Sequence, residues 1–137
     1  MARSNNVQEL LSDDALTFVT ERHLATLSTL HPDGSIHVVA VGFSYRDGIA
    51  RVITSGDSRK VNNILADGRA SISQVDGVRW LTLQGTATIA REPDEVQLGV
   101  DLYAQRYRQP RVNPLRVVIE LRVEKVLGSS GMRRLVE

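Results

Sequence analysis

The stretch "SIHVVAVGFSYRDGIARVITSGDSRKVNNILADG", Ser35 to Gly68, decides the fold. Ser35–Tyr45 reads as a strand rich in β-branched residues, and Arg46-Asp47-Gly48 is hairpin-turn chemistry leading into a second strand, Ile49–Ser55. The texture then changes. Val61, Ile64 and Leu65 have the i, i+3, i+4 spacing of a helix face, Ser58 is a good N-cap, and Gly68 is a good stop. A strand–turn–helix element of this kind directs first-turn amides, Ser58, Arg59 and Lys60 toward one small region, as a phosphate or carboxylate site requires. Only two lysines, Lys60 and Lys125, occur among the 17 basic residues, and one lies in this turn.

Working outward, Ser12 followed by Asp13 and Asp14 starts a helix through about Glu21. Strands are expected at His23–Leu30, Arg69–Val75, Val78–Ala90 and Leu115–Gly128, with "HPDG" (His31–Gly34) and Asp76-Gly77 as turns. Pro93 opens a helix to about Arg108, and "RQPRVNP" (Arg108–Pro114) cannot be regular structure. Six strands with hairpin links and peripheral helices predict a mainly β fold, an antiparallel barrel in one domain over 1–137. Residues 1–10 and 129–137 are expected to be loose. So many half-apolar strands in a short chain call for an interface, so a homodimer is expected.

Composition narrows the function. Net charge is +1 with 4% aromatics, which argues against a nucleic-acid surface or an anionic membrane. The absence of cysteine excludes disulfides and thiolate chemistry and fits a reducing cytoplasm. No apolar run approaches the roughly 20 residues of a membrane span, and "MARSNNVQELLSDD" lacks a signal-peptide core. His23, His31 and His37 do not have zinc spacing, so no metal is expected. No GxSxG, GxGxxG or P-loop motif is present.

From His23 to Gly85 the order of strand, HPDG turn, "HVVAVGF", "RVITSGDSRK", helix, "GRASIS" and "WLTLQGTA" resembles the pyridoxamine 5′-phosphate oxidase-like split β-barrel family. Within it, "LSDDAL", "ERHLA", "SQVDG", "RWL" and "YAQRYR" are most similar to the coenzyme F420-dependent group, which includes reductases of biliverdin. The resemblance implies a six-stranded split barrel, a homodimer with cofactor sites at the interface, and hydride transfer from reduced coenzyme F420 to biliverdin or a similar planar molecule. It implies cofactor contacts at Gly56, Asp57, Ser58, Arg59, Lys60, Asn62 and Asn63, at His37, Val38, Val39 and Ala40 beneath the ring, and at Val78, Arg79, Trp80 and Leu81 along the cleft. Substrate contacts are expected from Gln74 and Gln84, and from Arg108, Pro110 and Arg111 for the bilin propionates.

Read from the residues alone, His37–Ala40 fits an ordinary buried strand, Trp80 fits core, the glutamines fit outward positions, and the arginines fit a solvated turn. No catalytic acid is identified, so the proton is assigned to solvent. Flavin-using members carry an Arg and a Lys on the second strand where this chain has Ile36 and Val41. That departure disfavours FMN, the alternative cofactor. An FMN oxidoreductase and a non-catalytic cofactor-binding protein stay as alternative functions.

Overall fold

The computed structural model describes residues 9–134. The elements are α1 (Asp13–Phe18), β1 (Ala25–Leu30), β2 (Ile36–Val41), β3 (Ser44–Arg46), β4 (Ile49–Ser55), α2 (Arg59–Ala66), β5 (Arg69–Asp76), β6 (Arg79–Ala90), α3 (Pro93–Arg106) and β7 (Arg116–Gly128). All strands join one antiparallel sheet in the order β2-β1-β5-β6-β7-β4-β3. The sheet curls so that its two edge strands, β2 and β3, are consecutive in the chain. This is a split barrel whose edges do not pair among the described residues.

Seven strands replace the expected six because Ser35–Tyr45 is broken at Gly42–Phe43. A Cβ on Gly42 would lie 3.1 Å from the rings of both Tyr103 and Tyr107. Next to it, the Phe43 amide donates to Tyr107 Oη at 3.2 Å, so α3 takes a donor that a continuous strand would have used. The β3–β4 turn is as expected, with Asp47 and Gly48 both at positive φ (52° and 82°). A further break lies in β6, where the register against β7 shifts between Gln84 and Gly85. Glycine is required there, since a Cβ would stand 1.9 Å from the Arg122 carbonyl oxygen.

Alternate residues fill the barrel: Leu27, Val52, Ile72, Leu81, Leu83, Ile119 and Leu121 are all at most 2% exposed. Phe18 from α1, and Val61 and Ile64 from α2, join the same core. Helix α3 packs on β3, β4 and β7. The outer side of β2, β1 and β5 has no such cover, and Ile36, Val38 and Val75 stand 70%, 54% and 63% exposed on it. Residues 129–134, expected to be loose, are held: Met132 is 5% exposed, its carbonyl accepts from the Ser12 amide, and Arg133 bridges Leu11. The rest of the expected loose ends, 1–8 and 135–137, lies outside the described residues.

Candidate functional site

Helix α2 begins as the sequence predicts, with Ser58 at the N-cap in an extended conformation, yet the Ser58 side chain makes no capping bond. Its Oγ is buried without a partner. First-turn amides have no intrahelical acceptor, and here the usual side-chain substitute is withheld as well. Lys60 is the second residue of the helix, within its first turn. It is half-buried, desolvation lowers its pKa, and no carboxylate lies within 4 Å of it among the described residues. Asp57 is occupied by the Ser55 hydroxyl at 2.7 Å, so its contribution to an anion site can only be through the backbone. Gly56 is pinned to β7, its amide donating to the Leu115 carbonyl at 2.7 Å.

Lys60 lines a pocket of about 250 Å³ between the end of β2 (Ala40–Gly42) and β4 (Val52–Thr54), closed by Tyr103, Pro110 and Arg116. The pocket therefore unites three expected residues, Lys60, Ala40 and Pro110, with two the sequence did not single out as contacts, Tyr103 and Thr54. Arg116 is braced by donating to the Arg111 carbonyl at 2.6 Å. Arg108 and Arg111 are exposed on the loop just outside.

Farther along α2, Asn63 is fully buried and donates from Nδ2 to Thr29 Oγ1 at 3.1 Å, while its Oδ1 has no partner. Asn62 is exposed. Opposite Thr29 in the sheet is His37, whose Nδ1 is buried without a partner and whose ring meets His31 edge-on at 5.0 Å. Burial, then the charges of His31, Lys60 and Arg59, hold its pKa below the ordinary imidazole value. In β2 the side chains of Val38 and Ala40 are exposed, and Val39 packs against the core. A planar ring laid on the outer side of this strand would meet backbone and small side chains.

The other expected residues lie toward the α1 end. Trp80 is seven residues from Ala87 along β6, roughly 23 Å at strand rise, and Ala87 is where the end of α2 bonds. Arg79 donates to Glu21 and Asp76 and covers the Phe18 ring at 4.5 Å, and these bonds, to Asp76 first, raise its pKa. Its guanidinium holds the same carboxylate oxygens that His23 approaches at 3.3 and 3.7 Å, which makes Glu21, His23, Asp76 and Arg79 an ion-pair network. Trp80 is 38% exposed and Val78 90% exposed, while Leu81 is core.

Gln74 corrects an expectation. It does not face a cleft: it is 1% exposed, donates to the Phe18 carbonyl at 2.9 Å and accepts from Arg106. Gln84 does face outward, lining an open groove of about 440 Å³ with Ser28, Ile36, Ser71 and Lys125. Arg106, two residues before the loop arginine Arg108, is buried and structural. It donates to the Glu21, Phe43 and Gln74 oxygens, and nothing in its one-letter context separates it from Arg108.

The pyridoxamine 5′-phosphate oxidase family model matches residues 11–130. The chain belongs to that family. It is 54% identical over 129 residues to a protein of Mycobacterium tuberculosis named F420H2-dependent biliverdin reductase, covering 93% of this chain and 94% of that one. Among solved structures, a conserved hypothetical protein of the same organism superposes with a TM-score of 0.77 at 24% identity, covering 93% of this chain and 88% of its own. An F420 reductase superposes at 0.69 with 24% identity, covering 81% and 94%. At these identities the structural matches establish the fold. No helix among the described residues is long and apolar enough to cross a membrane.

Proposed function

We propose that this chain is a coenzyme F420-dependent oxidoreductase that reduces biliverdin to bilirubin, with Ser58, Arg59 and Lys60 holding the cofactor's phosphate. One observation carries the cofactor assignment: the α2 turn keeps a buried Ser58 Oγ and a half-buried Lys60 without protein partners. Buried polar groups are ordinarily satisfied, so a set left open at a helix start suits an anionic ligand. The 54% identity to the mycobacterial reductase supports both cofactor and substrate. FMN gains no such support, because Ile36 and Val41 offer no charge to its compact phosphate.

Bound reduced F420 supplies a hydride, and the organic chemistry is the cofactor's. The chain's residues bind and orient. Lys60 and the α2 amides fix the phosphate end, while Val38 and Ala40 leave β2 low enough for a flat ring to approach its backbone. Arg108 and Arg111, exposed beside the pocket, are suited to the two propionates of a bilin. No carboxyl group lines the Lys60 pocket among the described residues, and the proton for the reduced bilin is assigned to solvent.

Two copies are proposed to pair through the uncovered side of β2, β1 and β5, where exposed Ile36, Val38 and Val75 would otherwise meet water. Val38→Asp is expected to convert the dimer to monomer in analytical ultracentrifugation. A cytoplasmic location follows from the same reading. The function is tested by mixing the protein anaerobically with reduced F420 and biliverdin. Bilirubin formation with recovery of oxidised F420 absorbance supports the reading, and no turnover with any bilin overturns it.

A further inference from the structure

We propose that His37 makes a further contact to the cofactor's phosphate through Nε2, and that its ring takes up a proton from solvent as the anion binds. This rests on the reading that the α2 turn holds an anionic cofactor.

The geometry begins with sheet register. Thr29 and His37 are direct partners across β1 and β2, so their side chains share the inward face a few ångströms apart. Thr29 is bonded to Asn63 from α2, and Asn63 Oδ1 has no donor. The enclosed nitrogen of His37 is Nδ1, also unpartnered, which leaves Nε2 as the nitrogen an incoming ligand can reach. The charged groups that bear on the ring are His31 from the β1–β2 turn and Lys60 and Arg59 from α2, with no carboxylate among them.

Burial first, then the charges of these three groups, hold the imidazole pKa below its ordinary value in the free protein. A phosphate set among Ser58, Arg59 and Lys60 reverses the sign of the local field. The imidazolium then donates from Nε2 to the phosphate. One proton is bound and no other bond changes. The arrangement supplies, on β2, a cation that Ile36 and Val41 do not.

The test is an NMR pH titration of the three imidazoles with and without inorganic phosphate, with the His37 signal assigned by its loss in His37→Gln. The pKa of His37 is expected to rise by about one unit with phosphate bound, which by linkage means about tenfold tighter binding to the protonated form. His37→Gln should bind phosphate a few-fold more weakly at pH 6, approaching about tenfold only at lower pH, and equally at pH 8. If phosphate perturbs the Ser58–Lys60 amides while the His37 titration stays fixed, the inference fails. It fails too if phosphate perturbs neither. Through-bond assignment of the three wild-type imidazoles replaces the variant should His37→Gln not fold. Repeating it with F420 separates the two readings: F420 that does not bind overturns the function, whereas F420 that binds without moving His37 overturns only this contact.

Discussion

At the α1 end of the barrel, Arg106, Gln74 and Tyr107 are buried polar residues whose groups are matched. Arg106 reaches the Glu21 and Phe43 carbonyls and Gln74, Gln74 reaches the Phe18 carbonyl, and Tyr107 Oη donates to the His23 carbonyl at 2.6 Å. At the α2 end the same kinds of group are left open: among the described residues Ser58 Oγ, Asn63 Oδ1 and His37 Nδ1 have no partner, and Lys60 has no carboxylate. An unmatched buried polar group costs stability, typically about 1–3 kcal/mol. A chain that matches one end and leaves the other open separates holding the fold from holding a ligand.

That contrast makes the two ends respond differently to substitution. Arg106→Met should have the largest effect, since it removes the charged donor that serves the Glu21 and Phe43 carbonyls and Gln74 Oε1. A loss of about 3–5 kcal/mol is expected, or roughly 10–15 °C in Tm by calorimetry, with F420 affinity changed only as far as the fold is. Lys60→Ala should do the reverse. It should weaken F420 binding about 10- to 100-fold in a fluorescence titration while Tm holds or rises slightly, because a desolvated charge is removed. Ser58→Ala sharpens the comparison further. An N-cap serine ordinarily contributes about 1 kcal/mol, but Ser58 Oγ makes no capping bond. Tm should therefore hold or rise slightly, because an unmatched buried hydroxyl is removed, while F420 affinity drops a few-fold.

The smallest effect belongs to a solvent-facing pair at the C-terminus of α2, away from the Ser58–Lys60 turn. Hydrogen bonds from the Arg69 side chain and backbone hold the Asp67 carboxyl down at about 2. A carboxyl lowered in the folded state adds stability above its unfolded value, near 4, and loses it as pH falls through 2. Asp67→Asn and wild type should differ slightly in Tm at pH 6 and converge near pH 2.

The elements were legible wherever the code is local. The Asp47-Gly48 turn, the Ser58 start and the Pro93 start of α3 announce themselves within a few residues, and the turn proposed to hold an anion is written in "SGDSRK". What escaped depends on partners far away in sequence. Gly42 ends β2 because of Tyr103 and Tyr107, some sixty residues on. Gln74 looks like any polar residue in a strand until Arg106 and the Phe18 carbonyl claim its amide. Arg106 and Arg108 are indistinguishable in the string, yet one is core and the other solvated. The turn of α2 could be read as an anion site, but its being left unmatched is a three-dimensional fact.

Hydrogen–deuterium exchange with and without F420 compares the two ends in a single measurement. Cofactor binding at the open end predicts slowed exchange across His37–Ala40 and Gly56–Asn63, with the amides around Gln74 and Arg106 unchanged. Protection confined to the Gln74–Leu81 hairpin, with the α2 turn exchanging as in the free protein, would contradict the account.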